Sequence, residues 1–392
     1  MTGDAELATS AVSALAEVPA ADWNALVAGR SFYLGWDWLR AQDRGQRVGA
    51  RYLLVHRAGR LAGALPTYLV EHETNDFYRP DRCVDGRWRG RYLLAGARRG
   101  YANDLLVHPD LAGSEAAAVG RVLLAGLAAR AAAESVDGAL FLYLDSAGAE
   151  RLRPLVPGGV PLLSAADAVI DLPGSGFADY LDALPRKRRW KIRHEIGVFG
   201  QAGLTLGVEP AGDCWAALAP LFGQVQRRYG HQADDDYCRR LLERQAAALA
   251  PQAVVLTLRD GGRLVGGVLA YPWADTLYQR LVGLDYGRLG GRFEYFNLFF
   301  YHAARFGYER GLSRLHLGRE AVQAKVNRGG RLRPLWSLKV PADPADGSAE
   351  RWNRDEARRL RAQVSVPAAF ADPGWARWGA GGRVTPGAAP GP

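Results

Sequence analysis

Six of the eight residues from Arg186 to Arg193 are basic and none is acidic, within Leu184-Pro185-Arg186-Lys187-Arg188-Arg189-Trp190-Lys191-Ile192-Arg193. At helical spacing Arg186, Arg189 and Arg193 form one stripe, and Lys187, Trp190, Lys191 and His194 form a neighbouring one. Ile192, Ile196 and Phe199 are then left for the core. A cationic stripe with an aromatic beside it suits phosphates and a stacked base. A solvated helix face is the ordinary alternative. The Gly-rich turn Arg288-Leu289-Gly290-Gly291-Arg292-Phe293 stands before an aromatic helical pattern, where backbone N–H groups can hold an anion. Proton acceptors for an amine nucleophile are sought among Asp104, Asp285 and Glu320, residues that would otherwise serve as turns or caps. Asp234-Asp235-Asp236 has the spacing of a helix cap ahead of Tyr237, not of a metal site. G-x-S-x-G, Walker and H-E-x-x-H motifs are all missing from the sequence.

These residues need elements to place them, and the chain supplies a similar set twice. Gly59-Arg60-Leu61-Ala62-Gly63 follows the apolar run Tyr52–Val55, and Gly262-Arg263-Leu264-Val265-Gly266 follows Val254–Leu258. Each copy predicts a hairpin with a tight turn and small residues on the return strand. The first is followed by strands near Tyr92–Ala95 and Leu105–Val107, a helix over Ser114–Glu134 and a strand over Ala139–Leu144. The second is followed by a strand over Thr276–Leu284, a helix over Glu294–Tyr308 and a strand over Arg314–Leu317. In that helix Phe296, Phe299, Phe300, Ala303 and Gly307 share a face. Such a duplication predicts two domains, 1–160 and 161–345, divided in the breaker-rich stretch Pro154–Pro173. A helix over Ala349–Val364 and a loose Gly/Pro tail over Gly379–Pro392 complete 346–392.

Composition narrows the function classes. At 392 residues, 48% apolar and 23% charged, the chain is of two-domain globular type. Its longest apolar run, Ala116–Ala133, is broken by Arg121 and Arg130, so no transmembrane segment is expected. Met1–Ser10 has no basic n-region, which argues against a secretory signal. Three scattered cysteines, Cys83, Cys214 and Cys238, predict neither disulfides nor structural zinc and suit a reducing cytoplasm. The net charge of +9 suits an anionic partner, although Arg-rich composition has the same effect through coding bias.

The order hairpin, third strand, crossover helix and final strand resembles the GNAT acyltransferase fold. Two units in tandem resemble the Fem-type aminoacyltransferases of peptidoglycan synthesis and their relatives in natural-product pathways. The basic helix, the hairpin Arg263-Leu264-Val265-Gly266-Gly267 and the segment Gly307–Pro334 carry the resemblance. The long coiled-coil arm of several cell-wall members has no counterpart in the sequence. The fold implied is α/β, two tandem GNAT-like domains with mixed sheets.

What the resemblance implies for the site is specific. In Fem-type enzymes a lysine after the last core strand and ahead of a glycine sits at the reacting centre, and Lys325 of Lys325-Val326-Asn327-Arg328-Gly329-Gly330 matches it. It is one of four lysines in a chain that otherwise uses arginine. An ammonium there would stabilise the oxyanion of acyl transfer to an amine. Asp104 resembles an aspartate beside the acceptor, with Tyr101 and His231 as acceptor contacts. Arg186, Lys187, Arg189, Trp190 and Arg193 would bind the donor, together with Arg288 and Gly291. In the GNAT diphosphate loop, R/Q-x-x-G-x-G/A, Phe293 falls where a small residue belongs. Aminoacyl-tRNA is therefore the favoured co-substrate, acyl-coenzyme A the alternative, and a catalytically dead binding module a third reading. A small-molecule amine is the expected acceptor, and no permanently bound cofactor or metal is expected.

Overall fold

The computed structural model describes residues 6–43, 49–73, 75–84, 91–231, 234–250, 252–343 and 346–381. The strands, in chain order, are β1 (Leu7–Val12), β2 (Ala50–Arg57), β3 (Arg60–Val70), β4 (Tyr92–Ala95), β5 (Leu106–Val107), β6 (Ala139–Leu144) and β7 (Leu162–Asp171). They continue with β8 (Thr205–Pro210), β9 (Val254–Asp260), β10 (Arg263–Trp273), β11 (Thr276–Leu284), β12 (Arg314–His316) and β13 (Arg331–Val340). Two compact units result: 1–36 with 47–166 and 333–392, and 37–46 with 167–332.

Unit 1 orders its strands β1-β2-β3-β4-β6-β13-β7, with β5 on β3, and only β4 and β6 run parallel among its registered pairs. Unit 2 orders β7-β12-β11-β10-β9-β8, with β11 and β12 parallel. The duplicated mixed-sheet architecture expected from the sequence is therefore present. Both hairpins turn on two residues of positive φ, Ala58-Gly59 and Gly261-Gly262, the geometry that matches strand twist. The crossover helix follows the same logic in each unit. A Cβ on Gly63 would meet Val119 of helix Gly113–Ala133, and one on Gly266 would meet Leu298 of helix Glu294–Glu309. Helix Gly113–Ala133, the longest among the described residues at 21, has the length and composition to cross a membrane. It buries Val119, Leu123 and Leu127, and Arg130 is bonded to the carbonyls of Thr67 and Gly49.

Three expectations need correction. The stretch Pro154–Pro173 is no linker, since it contains β7, buried along nearly its whole length. The division is not a halving at 160/161 either. The chain passes between units inside β7 and β13, and helix Ser348–Ala362 returns to unit 1. The aromatic helix is also not one regular α-helix. Asn297–His302 forms a π-turn, which buries Leu298, Phe299, Phe300 and Tyr301 consecutively in place of a single stripe. Of the expected tail, residues 382–392 lie outside the described ones.

Candidate active site

The chemistry of unit 2 gathers where β11 and β12 part. The two strands pair only over Thr276–Tyr278 and Arg314–His316. Beyond that point Leu317 and Gly318 bond instead with Ala168 of β7. β11 runs on to Leu284 against β10, with a bulge at Arg280, which has no residue opposite it. A bulge re-aims side chains and leaves backbone unpaired, and bulges are common beside active sites.

Lys325 closes the β12 side of this split. Its Nζ donates to the carbonyl oxygens of Leu317 at 2.7 Å and Gly318 at 3.1 Å. The sequence suggested a loop lysine at an open cleft. In the structure it belongs to the short helix Val322–Val326 and is only 3% exposed. Burial pushes its ammonium down to about 7, against the opposing pull of Glu320 and Asp167. Gly329 and Gly330 follow it, and a Cβ on Gly330 would stand 2.8 Å from the Lys325 carbonyl oxygen. Beside the split, His316 Nε2 lies 2.9 Å from Asp167 Oδ2, and the His316 ring stacks on Tyr278 at 5.1 Å. Neither His316 nor Asp167 was singled out from the sequence.

A second buried network was also missed. Glu195, 1% exposed, accepts from Arg328 Nη2 at 2.7 Å and from the Tyr301 hydroxyl. Arg328 Nε donates to that hydroxyl at 2.9 Å, Nη1 to the Ala324 carbonyl at 3.0 Å, and the guanidinium lies 3.4 Å over Phe296. The signal was available: Glu195 is the only acid in the basic helix and shares the face of Ile192 and Phe199. An acid there needs a buried cation.

The basic helix forms over Arg186–Phe199 with Pro185 as its N-cap, one residue outside the expected first-turn position. Ile192 and Phe199 are buried, while Ile196 is half-buried. Arg186, Lys187, Trp190, Lys191, Arg193 and His194 are exposed. Arg189 shares its charge with Asp182 at 2.5 Å, and Arg188 donates to the Val326 carbonyl at 2.9 Å, a direct tie to the Lys325 helix.

The loop after β11 has its own anion in place. The Gly290 N–H donates to Glu294 Oε1 at 2.7 Å, and Glu294 is buried. Arg288 pairs with Asp260 at 3.5 Å, Gly291 has a φ of +71°, and Phe293 is left-handed at +61°. His231 follows helix Ala211–Arg228, its N–H bonded to the Gln226 carbonyl. Asp234 is the N-cap of the next helix, accepting from the Tyr237 N–H.

Tyr101 and Asp104 belong to unit 1. Tyr101 is buried among the rings of Tyr33, Tyr78 and Tyr143. Asp104 is buried too, with Oδ2 bonded to Arg151 at 2.5 Å and 3.6 Å from Arg30, and Oδ1 accepting from the Leu105 N–H. Burial raises its pKa, and Arg151 opposes the shift. Lys325, the basic helix, the Gly290 loop and His231 thus share unit 2, while Tyr101 and Asp104 form a separate cluster.

A hairpin, a third strand, a crossover helix and a parallel strand that splits from its neighbour, present twice, form the tandem GNAT-like fold expected from the sequence. Residues 186–326 match the model of an acetyltransferase (GNAT) domain, so unit 2 carries a GNAT-type acyltransferase domain. Among solved structures the chain is similar to FemX, with 12% identity, 84% of this chain and 96% of that one covered, and a TM-score of 0.56. It is also similar to the C-terminal domain of a putative lysylphosphatidylglycerol synthetase from Agrobacterium fabrum, with 13% identity, 86% and 95% covered, and a TM-score of 0.52. A conserved protein of unknown function from Bacteroides thetaiotaomicron gives 12% identity, 82% and 97% covered, and a TM-score of 0.54. At these identities the likeness is one of fold. No curated protein matches the sequence.

Proposed function

We propose that the protein is an amide-forming acyltransferase that moves an aminoacyl group from aminoacyl-tRNA to an amine on a small molecule, with Lys325 at the reacting centre. The observation that carries this reading is the buried Lys325 amine at the strand split, poised near neutrality. Two of its positions are committed to the Leu317 and Gly318 carbonyls. The remaining one holds a lone pair in the neutral form and an N–H in the charged form. The acceptor nitrogen attacks the ester carbonyl carbon, and the tetrahedral oxyanion is stabilised by that N–H. The C–O ester bond then breaks, and the leaving ribose oxygen takes a proton. Lys325 starts charged, gives a proton to that oxygen as the bond breaks and recovers one from the acceptor nitrogen, an exchange suited to a group with a pKa near 7.

The donor reading rests on two further features. The basic helix presents cations to an anionic polymer. The Gly290 N–H, which a coenzyme A diphosphate would need, is already taken by Glu294. Cytoplasmic location is part of the same proposal, since charged tRNA is found there. The test is incubation with pools of charged tRNA and, separately, acyl-coenzyme A, each with a panel of small amines. Transfer from tRNA that weakens steeply with salt is the expected result. Transfer from acyl-coenzyme A alone would overturn the donor assignment.

A further inference from the structure

Trp190 is 67% exposed, an unusual place for the largest apolar side chain. Its ring is parallel to that of His194, one turn on, with 5.7 Å between centroids and 5° between planes. Phe293 meets His194 edge-on at 6.1 Å, and Arg292 Nη1 donates to the Gln201 carbonyl at 2.7 Å, so the loop after β11 braces the stack from one side. The outer face of Trp190 remains in water. Around it stand Arg186, Lys187, Lys191 and Arg193, exposed and with no carboxylate partner among the described residues.

We infer that Trp190 and His194 form a stacking platform for an unpaired nucleotide of a single-stranded RNA end. This rests on the reading of the basic helix as the donor site and names the part of the donor it takes. A flat ring pair held open to solvent matches a nucleobase face, and every base has one, so the platform tolerates sequence. Lys187 and Lys191 lie one turn apart beside Trp190, where the phosphates flanking a stacked base pass. A base inside a duplex has both faces covered by its neighbours and cannot reach the indole. The platform therefore selects an unpaired end over a blunt helix. From Trp190 the ring contacts lead through His194, Phe293 and Phe296 to Arg328, three residues beyond Lys325. An end anchored at Trp190 has a path towards the strand split.

The adenine of a coenzyme is the other source of a stackable base, and the experiment separates the two. Labelled RNA hairpins with one stem, either blunt or with a short unpaired 3′ extension, are titrated against the full chain at several salt concentrations, with coenzyme A as competitor. The proteins are wild type, Trp190→Ala, Trp190→Phe and the pair Lys187→Ala with Lys191→Ala. The extended hairpin is expected to bind roughly 10-fold or more tightly than the blunt one. Trp190→Ala should lose roughly 10- to 100-fold for the extended hairpin alone, with the salt slope unchanged, and Trp190→Phe should recover most of it. The lysine pair should flatten the slope by about 0.7 for each phosphate that is no longer neutralised. Equal binding of both hairpins, or no effect of Trp190→Ala, overturns the platform while leaving the donor reading in place. Displacement by coenzyme A that depends on Trp190 assigns the platform to a coenzyme and overturns the RNA end. Binding of neither RNA overturns both the platform and the tRNA reading.

Discussion

Where β4 and β6 part in unit 1, Asn103 enters the gap. Its N–H donates to the Tyr143 carbonyl at 3.0 Å, and its side-chain amide exchanges bonds with Ala97 and donates to Leu142 O at 2.6 Å. The rings of Tyr78, Tyr101 and Tyr143 fill the space around it. Where β11 and β12 part in unit 2, the loose carbonyl is that of Leu317; Lys325 satisfies it and adds a second bond to the Gly318 carbonyl, which the Ala168 N–H already meets. The same topology is closed in one unit by a neutral amide and in the other by a titratable amine. A duplicated fold meets the same backbone requirement twice, because each split strand leaves carbonyls that must find donors. Only one of the two solutions can also move a proton. This difference favours unit 2 as the seat of the proposed chemistry.

The largest effect should come from removing the amine. Lys325→Ala is expected to lower kcat on the order of 10²–10³, the loss typical of one oxyanion donor, with donor binding nearly unchanged. The Leu317 carbonyl loses its donor as well, while Gly318 keeps the Ala168 N–H, so the melting temperature should fall, unlike that of a surface lysine variant. Lys325→Arg should recover little turnover, because the planar guanidinium cannot place one N–H where the ammonium does. Near-normal turnover in the alanine variant would place the chemistry elsewhere.

Next in size is the unit 1 seal. Asn103→Leu removes the partner of the Ala97 N–H and of the Ala97 and Leu142 carbonyls, and should cost about 2–4 kcal/mol of stability. Turnover per folded molecule should stay close to wild type. Denaturant melts alongside single-turnover assays would check both halves. A variant that is fully stable, or folded but inactive, would undo the contrast between the two splits.

The parts of the fold legible in the sequence were those set by local chemistry. The hairpin glycines, the strands Thr276–Leu284 and Ala139–Leu144, and the helix near Ser348 came from turn residues and periodicity alone. Period says nothing about partners. No local pattern therefore indicated that β7 and β13 carry the chain between units, or that Asp37–Gln46 belongs to unit 2. The π-turn was hidden for a related reason, since its extra residue is accommodated by packing against the sheet rather than by helix propensity. At the site, residue types pointed to the basic helix, and the family resemblance pointed to Lys325. The burial of Lys325 depends on carbonyls eight and seven residues earlier, the first of them left unpaired by a strand split that periodicity does not announce.

The smallest expected effect distinguishes the two seals by pH. With a pKa near 7 when folded and about 10.4 when unfolded, Lys325 binds fewer protons in the native state across that interval. Stability follows the difference in bound protons, so this residue makes wild type more stable as pH rises from about 7 towards 10. Below pH 7 both states hold the proton, and the penalty for burying the charge is constant. The slope between these limits is roughly 1 kcal/mol per pH unit. The Asn103 amide does not titrate and contributes no such slope. Denaturant melts of wild type and Lys325→Met at pH 6.0, 7.5 and 8.5 isolate the term, because all other titrating groups cancel in the difference. Wild type should gain on the methionine variant between the upper two values and not between the lower values to the same extent. In turnover the sign is opposite, because the charged form supplies the N–H to the oxyanion: kcat should fall as pH rises through about 7. The residual activity of Lys325→Arg should lack that limb, since arginine stays charged. A wild-type stability difference that is flat with pH would mean that Lys325 keeps its proton throughout, and would reduce its part in the site to that of a fixed cation.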